Sequence, residues 1–195
     1  GSDAGATRTT ARLDGDEWVI DGAKQFITNS GTPITRFVTV TAVTGRREGR
    51  KEISTIIVPS GTPGFTVGPA YDKVGWCASD THPLTFDGAR VPAENLLGER
   101  GRGFASFLHI LDEGRIAIAA LATGAAEGCL EQAVDYSRRR IVFGERLSSR
   151  QSIQFTIARM QARVHNARLS WHHAARLRDA GKPFTSEAAI AKLTA

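Results

Sequence analysis

Cysteine is nearly absent from this chain: its 195 residues include two, Cys77 and Cys129, far apart and without metal or redox spacing. That usage fits a reducing compartment, and a cytoplasmic location is expected. Long apolar runs are missing too. The longest, IAIAALATGAA, is alanine-rich and flanked by Arg115 and Glu127. It falls short of the roughly 18 residues of a membrane span, so no membrane span is expected. No apolar core follows the opening GSDAGATR, so a secretory leader is not expected either. No P-loop and no nucleophile elbow occurs. His172 and His173 are adjacent on a helical stretch and His165 lies seven residues earlier, so none has the i, i+4 pairing of a helical zinc site, and no metal is expected. Lysine is scarce. Of 25 basic residues against 20 acidic, twenty are arginine, and the net charge is +5. Arginine's planar fork suits phosphate and carboxylate, which points to an anionic ligand or to a solvated basic face.

What is present divides into two halves. EWVIDG, KQFIT, RFVTVTAV, EISTIIVP, GFTVG and THPLTF are short, β-branched or aromatic, and bounded by Gly, Pro, Asp or Asn. Strands at this spacing with no helix between them predict an antiparallel sandwich or barrel through about Phe86, then an extended link through Val91-Pro92. GRREGRKE reads as an exposed hairpin tip. The period changes near GERGRGF, and helices are predicted at roughly 103–140, 150–180 and 185–195. The first is apolar nearly all round, as in a helix buried between neighbours. In the second, Ile153, Ile157, Met160, Val164, Ala167, Trp171 and Ala174 form a seam for bundle packing. Gly181 and Pro183 stop it, and Thr185 is expected to cap the third. The expectation is an α+β protein: a β domain over 1–97, then the antiparallel helices of an incomplete bundle over 98–195. The last helix runs to Ala195 in mid-pattern, so the chain is expected to be a fragment.

Few motifs carry chemistry unaided. GERGRGF lacks the third glycine of a dinucleotide fingerprint, Ser106 standing there, and reads as a turn into a helix. LDEGR places Asp112 and Arg115 three apart on one helix face, which an intrahelical ion pair explains. Arg138, Arg139 and Arg140 at a helix C-terminus complement its dipole. In WVIDGAKQFITNSG, strand alternation puts Phe26 and Thr28 on one side. They are either a core pair or a ring and a hydroxyl for a flat cofactor.

In combination these stretches resemble the acyl-CoA dehydrogenase family. GSDAGA looks like the tail of its Glu-Pro-Gly-Ser-Asp signature, and WVIDGAKQFITN like its Trp-x-Ile-x-Gly-x-Lys-x-aromatic-Ile-Thr-Asn stretch. YDKVGWCASDTHPLTFDGARVPAENLLG is similar to the segment closing its β domain, and LDEGR, RIVFG and RQSIQF follow in order. The resemblance implies FAD as cofactor, with Phe26 and Ile27 beside the flavin and the Thr28 hydroxyl near flavin N5. Arg140 and Phe143, joined by Arg150 and Gln151, match contacts to the adenosine-diphosphate portion of FAD, made across a subunit interface in many members. For the substrate, Ser2 matches a serine near the thioester, Lys73 a contact to the CoA chain, and Asp112 and Arg115 the pantetheine and adenine end. Trp76-Cys77-Ala78-Ser79 departs from the commoner arginine-bearing version, leaving acyl specificity open.

The implied reaction is α,β-desaturation of an acyl-CoA, with electrons passed to an electron-transfer flavoprotein by a dimer or tetramer. The family's N-terminal helical domain, its Gly-Gly-x-Gly turn and its usual glutamate base have no counterpart here. A minority of members carry the base at the position of Gly114, which has no side chain, so the base is expected beyond Ala195 and the chain alone is expected to be inactive. A flavin oxidase or monooxygenase on the same fold is the nearest alternative. A non-enzymatic arginine-rich module for a polyanion is a further one, but its arginines are scattered over both halves, and no nucleic-acid partner is expected.

Overall fold

A computed structural model describes residues 3–195. The chain divides into two compact units, one through Phe107 and one over Leu108–Ala195.

The first unit is a seven-stranded sheet. Its strands are β1 (Thr10–Asp14), β2 (Glu17–Thr28), β3 (Phe37–Arg47), β4 (Arg50–Pro59), β5 (Phe65–Val67), β6 (Thr81–Pro92) and β7 (Leu96–Leu97), in the order β5-β6-β2-β1-β3-β4-β7. All neighbours are antiparallel except β1 and β3, which meet in parallel at Thr10 and Val43. The sheet stays open, with β5 and β7 as its edges, so the closed barrel that was one expectation is not formed. EWVIDG and KQFIT, expected as separate segments, are one twelve-residue strand, and β6 runs straight through the expected link to Pro92.

Alternation decides which face is buried. In β3, Val38, Val40 and Ala42 point inward between exposed or half-exposed neighbours. With Trp18, Ile20, Ile56, Val58, Leu84, Phe86, Ala89 and Val91 they form one core, against which Ile27, Phe65 and Leu96 pack. The Phe65 and Phe86 rings stack at 5.0 Å. The charged hairpin tip is as expected, with Glu48 and Gly49 at positive φ between β3 and β4.

The last glycine of GERGRGF has a packing reason. A Cβ on Gly103 would lie 2.6 Å from the backbone of Ser54, so only glycine lets α1 (Gly103–Arg139) start against β4. The Ser54 hydroxyl accepts from the Gly101 amide at 2.9 Å and lies 2.6 Å from the Thr44 hydroxyl.

In the second unit α1 continues, followed by a hairpin of β8 (Ile141–Val142) and β9 (Glu145–Arg146), then α2 (Gln151–Asp179) and α3 (Thr185–Thr194). The expected seam on α2 is the inward one: Val164, Ala167 and Ala174 are buried and Ile153, Ile157, Met160 and Trp171 half-buried. Towards α1, Val164 and Leu130 line one pocket and Glu127 is paired to Arg168, while Ala119 and Thr123 of α1 are buried. Leu108, Ile110, Leu111, Ile118 and Leu121 of α1 are exposed, so the all-round apolar pattern is covered on one side alone. A Schellman motif ends α2: Gly181, at positive φ, donates to Arg178 and Lys182 donates to Leu177. Thr185 does not cap α3. It is the first helical residue after Phe184, and its hydroxyl donates to Asp112 at 2.7 Å.

Candidate functional site

The end of β2 does not keep strand alternation. Between Lys24 and Ile27 the pairing with β6 shifts, and Phe26 adopts a φ of 60° inside this bulge. Phe26 therefore reaches the side it shares with Thr28 through a bulge rather than through a regular strand. A core pair is ruled out, because the Phe26 ring is 71% exposed and Thr28 is exposed. Ile27 between them turns inward onto the core. An aromatic at positive φ costs about 1–3 kcal/mol and persists only where its surroundings hold it. Here Tyr71 holds it, its ring 4.9 Å from that of Phe26 and its hydroxyl donating to the Gln25 side-chain carbonyl.

Strain gathers around this edge. Asn29, just past Thr28, has a φ of 57°, and Trp76 has a φ of 55° with its ring 70% exposed. Thr28 pairs with Thr81 at the start of β6. Lys73 belongs to the same edge, but its amine donates to the Ser79 carbonyl and, at 2.9 Å, to the Thr81 hydroxyl. The expected Phe26, Ile27, Thr28 and Lys73 are thus brought together. Ser2 lies outside the described residues.

Asp80 and His82 complete the edge, and sequence reasoning passed over both. Their spacing, two apart where a strand begins, was the available signal, since it puts both on one side. His82 Nε2 lies 2.6 Å from Asp80 Oδ1 and His82 Nδ1 2.7 Å from the Gly68 carbonyl. The bond to Gly68, then that to Asp80, holds the imidazole above its ordinary value. The Gly31 amide, 2.8 Å from Asp80 Oδ2, is the leading cause that keeps the carboxyl below its own.

A second set lies in the helical unit, around the β8–β9 hairpin. Phe143 and Gly144 both have positive φ, as a two-residue I′ turn requires, yet that turn favours Asn-Gly and here carries an aromatic. The Phe143 ring is 91% exposed, with the Arg150 guanidinium 5.4 Å from its centre. Arg150 Nη2 donates to the Val142 carbonyl at 3.1 Å, while its Nε is buried without a partner among the described residues. Arg140 is exposed just past the end of α1, and Gln151 is exposed at the first position of α2. Arg140, Phe143, Arg150 and Gln151 therefore cluster around one hairpin.

Asp112 and Arg115 form the expected pair on α1, Asp112 also accepting from Thr185. Glu113 is bonded to Arg178 of α2 at 3.0 Å, and that bond, first among its causes, keeps its carboxyl below the ordinary glutamate value. Such a carboxylate is a weak base. Arg115 lies about 36 Å along α1 from Arg139, at 1.5 Å per residue, so this pair and the hairpin cluster mark separate places on one helix.

These features define a class: a mainly antiparallel sheet with a strained aromatic edge, followed by a helical unit with an arginine–aromatic hairpin. Residues 1–89 match the family described as acyl-CoA dehydrogenase, middle domain, and residues 101–195 the acyl-CoA dehydrogenase, C-terminal domain. The chain belongs to the acyl-CoA dehydrogenase family. Over its whole length it is 48% identical to the probable acyl-CoA dehydrogenase YngJ of Bacillus subtilis, of which it covers 51%. It is equally 48% identical to the mitochondrial short-chain specific acyl-CoA dehydrogenase of Rattus norvegicus, covering 47% of it. All of it also superimposes on half of the butyryl-CoA dehydrogenase of Megasphaera elsdenii, with a TM-score of 0.93 and 43% identity. The chain spans about half the length of these relatives.

Proposed function

We propose that this chain is the flavin- and CoA-facing half of an FAD-dependent acyl-CoA dehydrogenase acting on a short acyl chain. The observation that carries the reading is the β2 end. There a bulge at positive φ holds a bare aromatic ring beside an exposed hydroxyl, at a cost that an ordinary strand end would not sustain. The residues present fit FAD. Phe26 offers a flat apolar face, the Thr28 hydroxyl a donor for a polar ring edge, and Arg140 and Arg150 cations for a diphosphate. The unpartnered Arg150 Nε beside the exposed Phe143 ring supports the last assignment. When bound, FAD would supply the acceptor for the hydride lost from the substrate β-carbon.

The chain's own residues bind and orient. Asp112 and Arg115 would meet the CoA moiety, Arg115 by its guanidinium. Lys73 would serve CoA only by exchanging its present bonds to Ser79 and Thr81. The α-proton needs a base within hydrogen-bonding reach. Gly114 provides none and Glu113 is engaged by Arg178, which supports a base beyond Ala195 and a chain that is inactive by itself. The separation of the hairpin cluster from Asp112–Arg115 along α1 supports a homo-oligomer, a dimer or tetramer, in which the hairpin of one copy serves the cofactor of another. The exposed apolar face of α1 supports the same reading. An electron-transfer flavoprotein is the proposed acceptor, and the two free cysteines support a reducing, cytoplasmic setting.

The test is anaerobic flavin reduction by a panel of acyl-CoAs, with the full-length protein and the 195-residue chain side by side. Thr28→Val should slow reduction more than it weakens acyl-CoA binding, and Arg140→Ala should loosen FAD. The chain alone should not bleach a reconstituted flavin. Bleaching near the full-length rate would place the base within these residues, and small, equal effects of both substitutions would remove the flavin from the β2 edge. Oxygen consumption during turnover would favour the oxidase instead.

A further inference from the structure

His82 is sandwiched more tightly than a surface histidine needs to be. One ring nitrogen faces the Asp80 carboxylate at 2.6 Å and the other the Gly68 carbonyl at 2.7 Å. Both partners are acceptors. A neutral imidazole carries one N–H and can satisfy only one of them, whereas the imidazolium satisfies both. The ring also sits against backbone: a Cβ on Gly31 would lie 2.2 Å from His82 Nε2, so the glycine is what allows the ring its place.

Two chain segments converge on this ring, and both lead to the β2 edge. On one side the Asp80 carboxylate accepts from Gly31 and its carbonyl from the Asn29 amide, which pins the residues immediately after Thr28. On the other side Gly68 donates to the Pro83 carbonyl and Tyr71 to the Thr81 carbonyl. Tyr71 then stacks on Phe26 and bonds Gln25. The charged groups acting here are Asp80 itself and Lys73, which is anchored on Ser79 and Thr81 and whose charge also acts on Asp80. From β2 and the turn after it, Ile27 and Gly31 bring apolar and backbone atoms only.

We propose that His82, held as an imidazolium between Asp80 and Gly68, is a positioning residue that sets the Gln25–Thr28 edge through Tyr71 and Asn29. The inference rests on the reading of that edge as the flavin site. The bonds that raise His82 above its ordinary value stabilise the clamp fully below about pH 6.5, and the contribution is lost as pH rises through the raised value. Asp80, held low, keeps its charge down to acid pH, so the clamp closes as pH falls through the raised His82 value and opens above it.

The experiment is nitrogen NMR of histidine-labelled chain, with the Gly31 and Tyr71 amides followed across pH. Both His82 nitrogens should be protonated below a single midpoint, and that midpoint should lie above about 6.5. The Gly31 and Tyr71 amides should move with that midpoint while Val40 and Ile56 of the core do not. Asp80→Asn, which keeps an acceptor for Gly31 but removes the charge, should lower the midpoint and carry the Tyr71 response down with it. A His82 midpoint at or below about 6.5, or amides that ignore its titration, would overturn the clamp. A second arm measures FAD affinity of the full-length protein at pH 6 and pH 9. Affinity should fall about ten-fold, the equivalent of one unit of coupling, and His82→Gln should flatten the response. An affinity that is pH-independent in the wild type overturns the positioning role. FAD failing to bind at either pH while the NMR coupling holds overturns the flavin reading, and with it the role, but leaves the clamp itself in place.

Discussion

The sheet unit and the helical unit solve the problem of burial differently. In the sheet, alternation sorts each strand into an inward and an outward set, and Trp18, Ile20, Leu84, Phe86 and their neighbours close one core. In the helical unit the buried residues are mostly small, Ala119, Ala167, Ala174, Ala188 and Ala191 among them, while leucines and isoleucines of α1 stay exposed. A sheet can finish its core within about a hundred residues because its strands pair with each other. A helix with apolar residues on several sides needs neighbours on several sides. The lesson is that the first unit closes its own core, while the second leaves apolar helix surface uncovered.

The largest effect that would break this contrast is a core truncation. Leu84→Ala should destabilise the sheet unit by about 2–5 kcal/mol, read by urea unfolding through Trp18 fluorescence. Leu121→Ala, on the exposed face of α1, should change stability by less than about 0.5 kcal/mol and show itself as weaker self-association in sedimentation. Equal destabilisation by the two would mean that both units close their own cores.

Glycines sharpen the comparison next. Gly103→Ala drives a Cβ into the Ser54 backbone and should cost about 1–3 kcal/mol. Gly124 lies within α1 with open space around its missing Cβ, so Gly124→Ala should stabilise by about 1 kcal/mol. Thermal unfolding of the two variants separates the signs. A smaller gain is expected at the hairpin: Phe143→Asn suits the I′ turn and should stabilise by about 1 kcal/mol or less while loosening FAD. Stabilisation without any loss of FAD affinity would remove Phe143 from the cofactor site.

The smallest effect is electrostatic. Glu113 is held below its ordinary value by Arg178, so the bond contributes above the unfolded glutamate value and is lost as pH falls through the lowered one. The pair is partly exposed, so the effect should be small and screened by salt. Carbon NMR of the Glu113 carboxyl should show a low midpoint that rises in Arg178→Ala. An ordinary midpoint in the wild type would release Glu113 as a candidate base.

The bond to Arg178 was not legible in the sequence, because the two residues sit 65 apart and meet only when α1 packs on α2. The same holds for Thr185. Its place before an apolar run reads as a cap, yet Asp112 of another helix takes its hydroxyl. The seam of α2 and its Schellman stop were legible, since both depend on residues within a few turns. Phe26 lies between these cases. The aromatic followed by Ile-Thr-Asn was readable as a motif, but the bulge and the positive φ at Phe26 were not, because a bulge records a mismatch between two strands.

By itself the sequence determined most of the long strands, the three helices, the inward seam of α2 and the family, but not β1 or the β8–β9 hairpin. Local periodicity and turn chemistry act over a few residues and are written directly in the order of the chain. Only the tertiary structure decided that the sheet stays open and that Phe26 is bare at a positive φ. It alone joined His82 to Asp80, Gly68 and Gly31. Those outcomes depend on register and on backbone approaching backbone, for which the energy is set by partners far away in the chain.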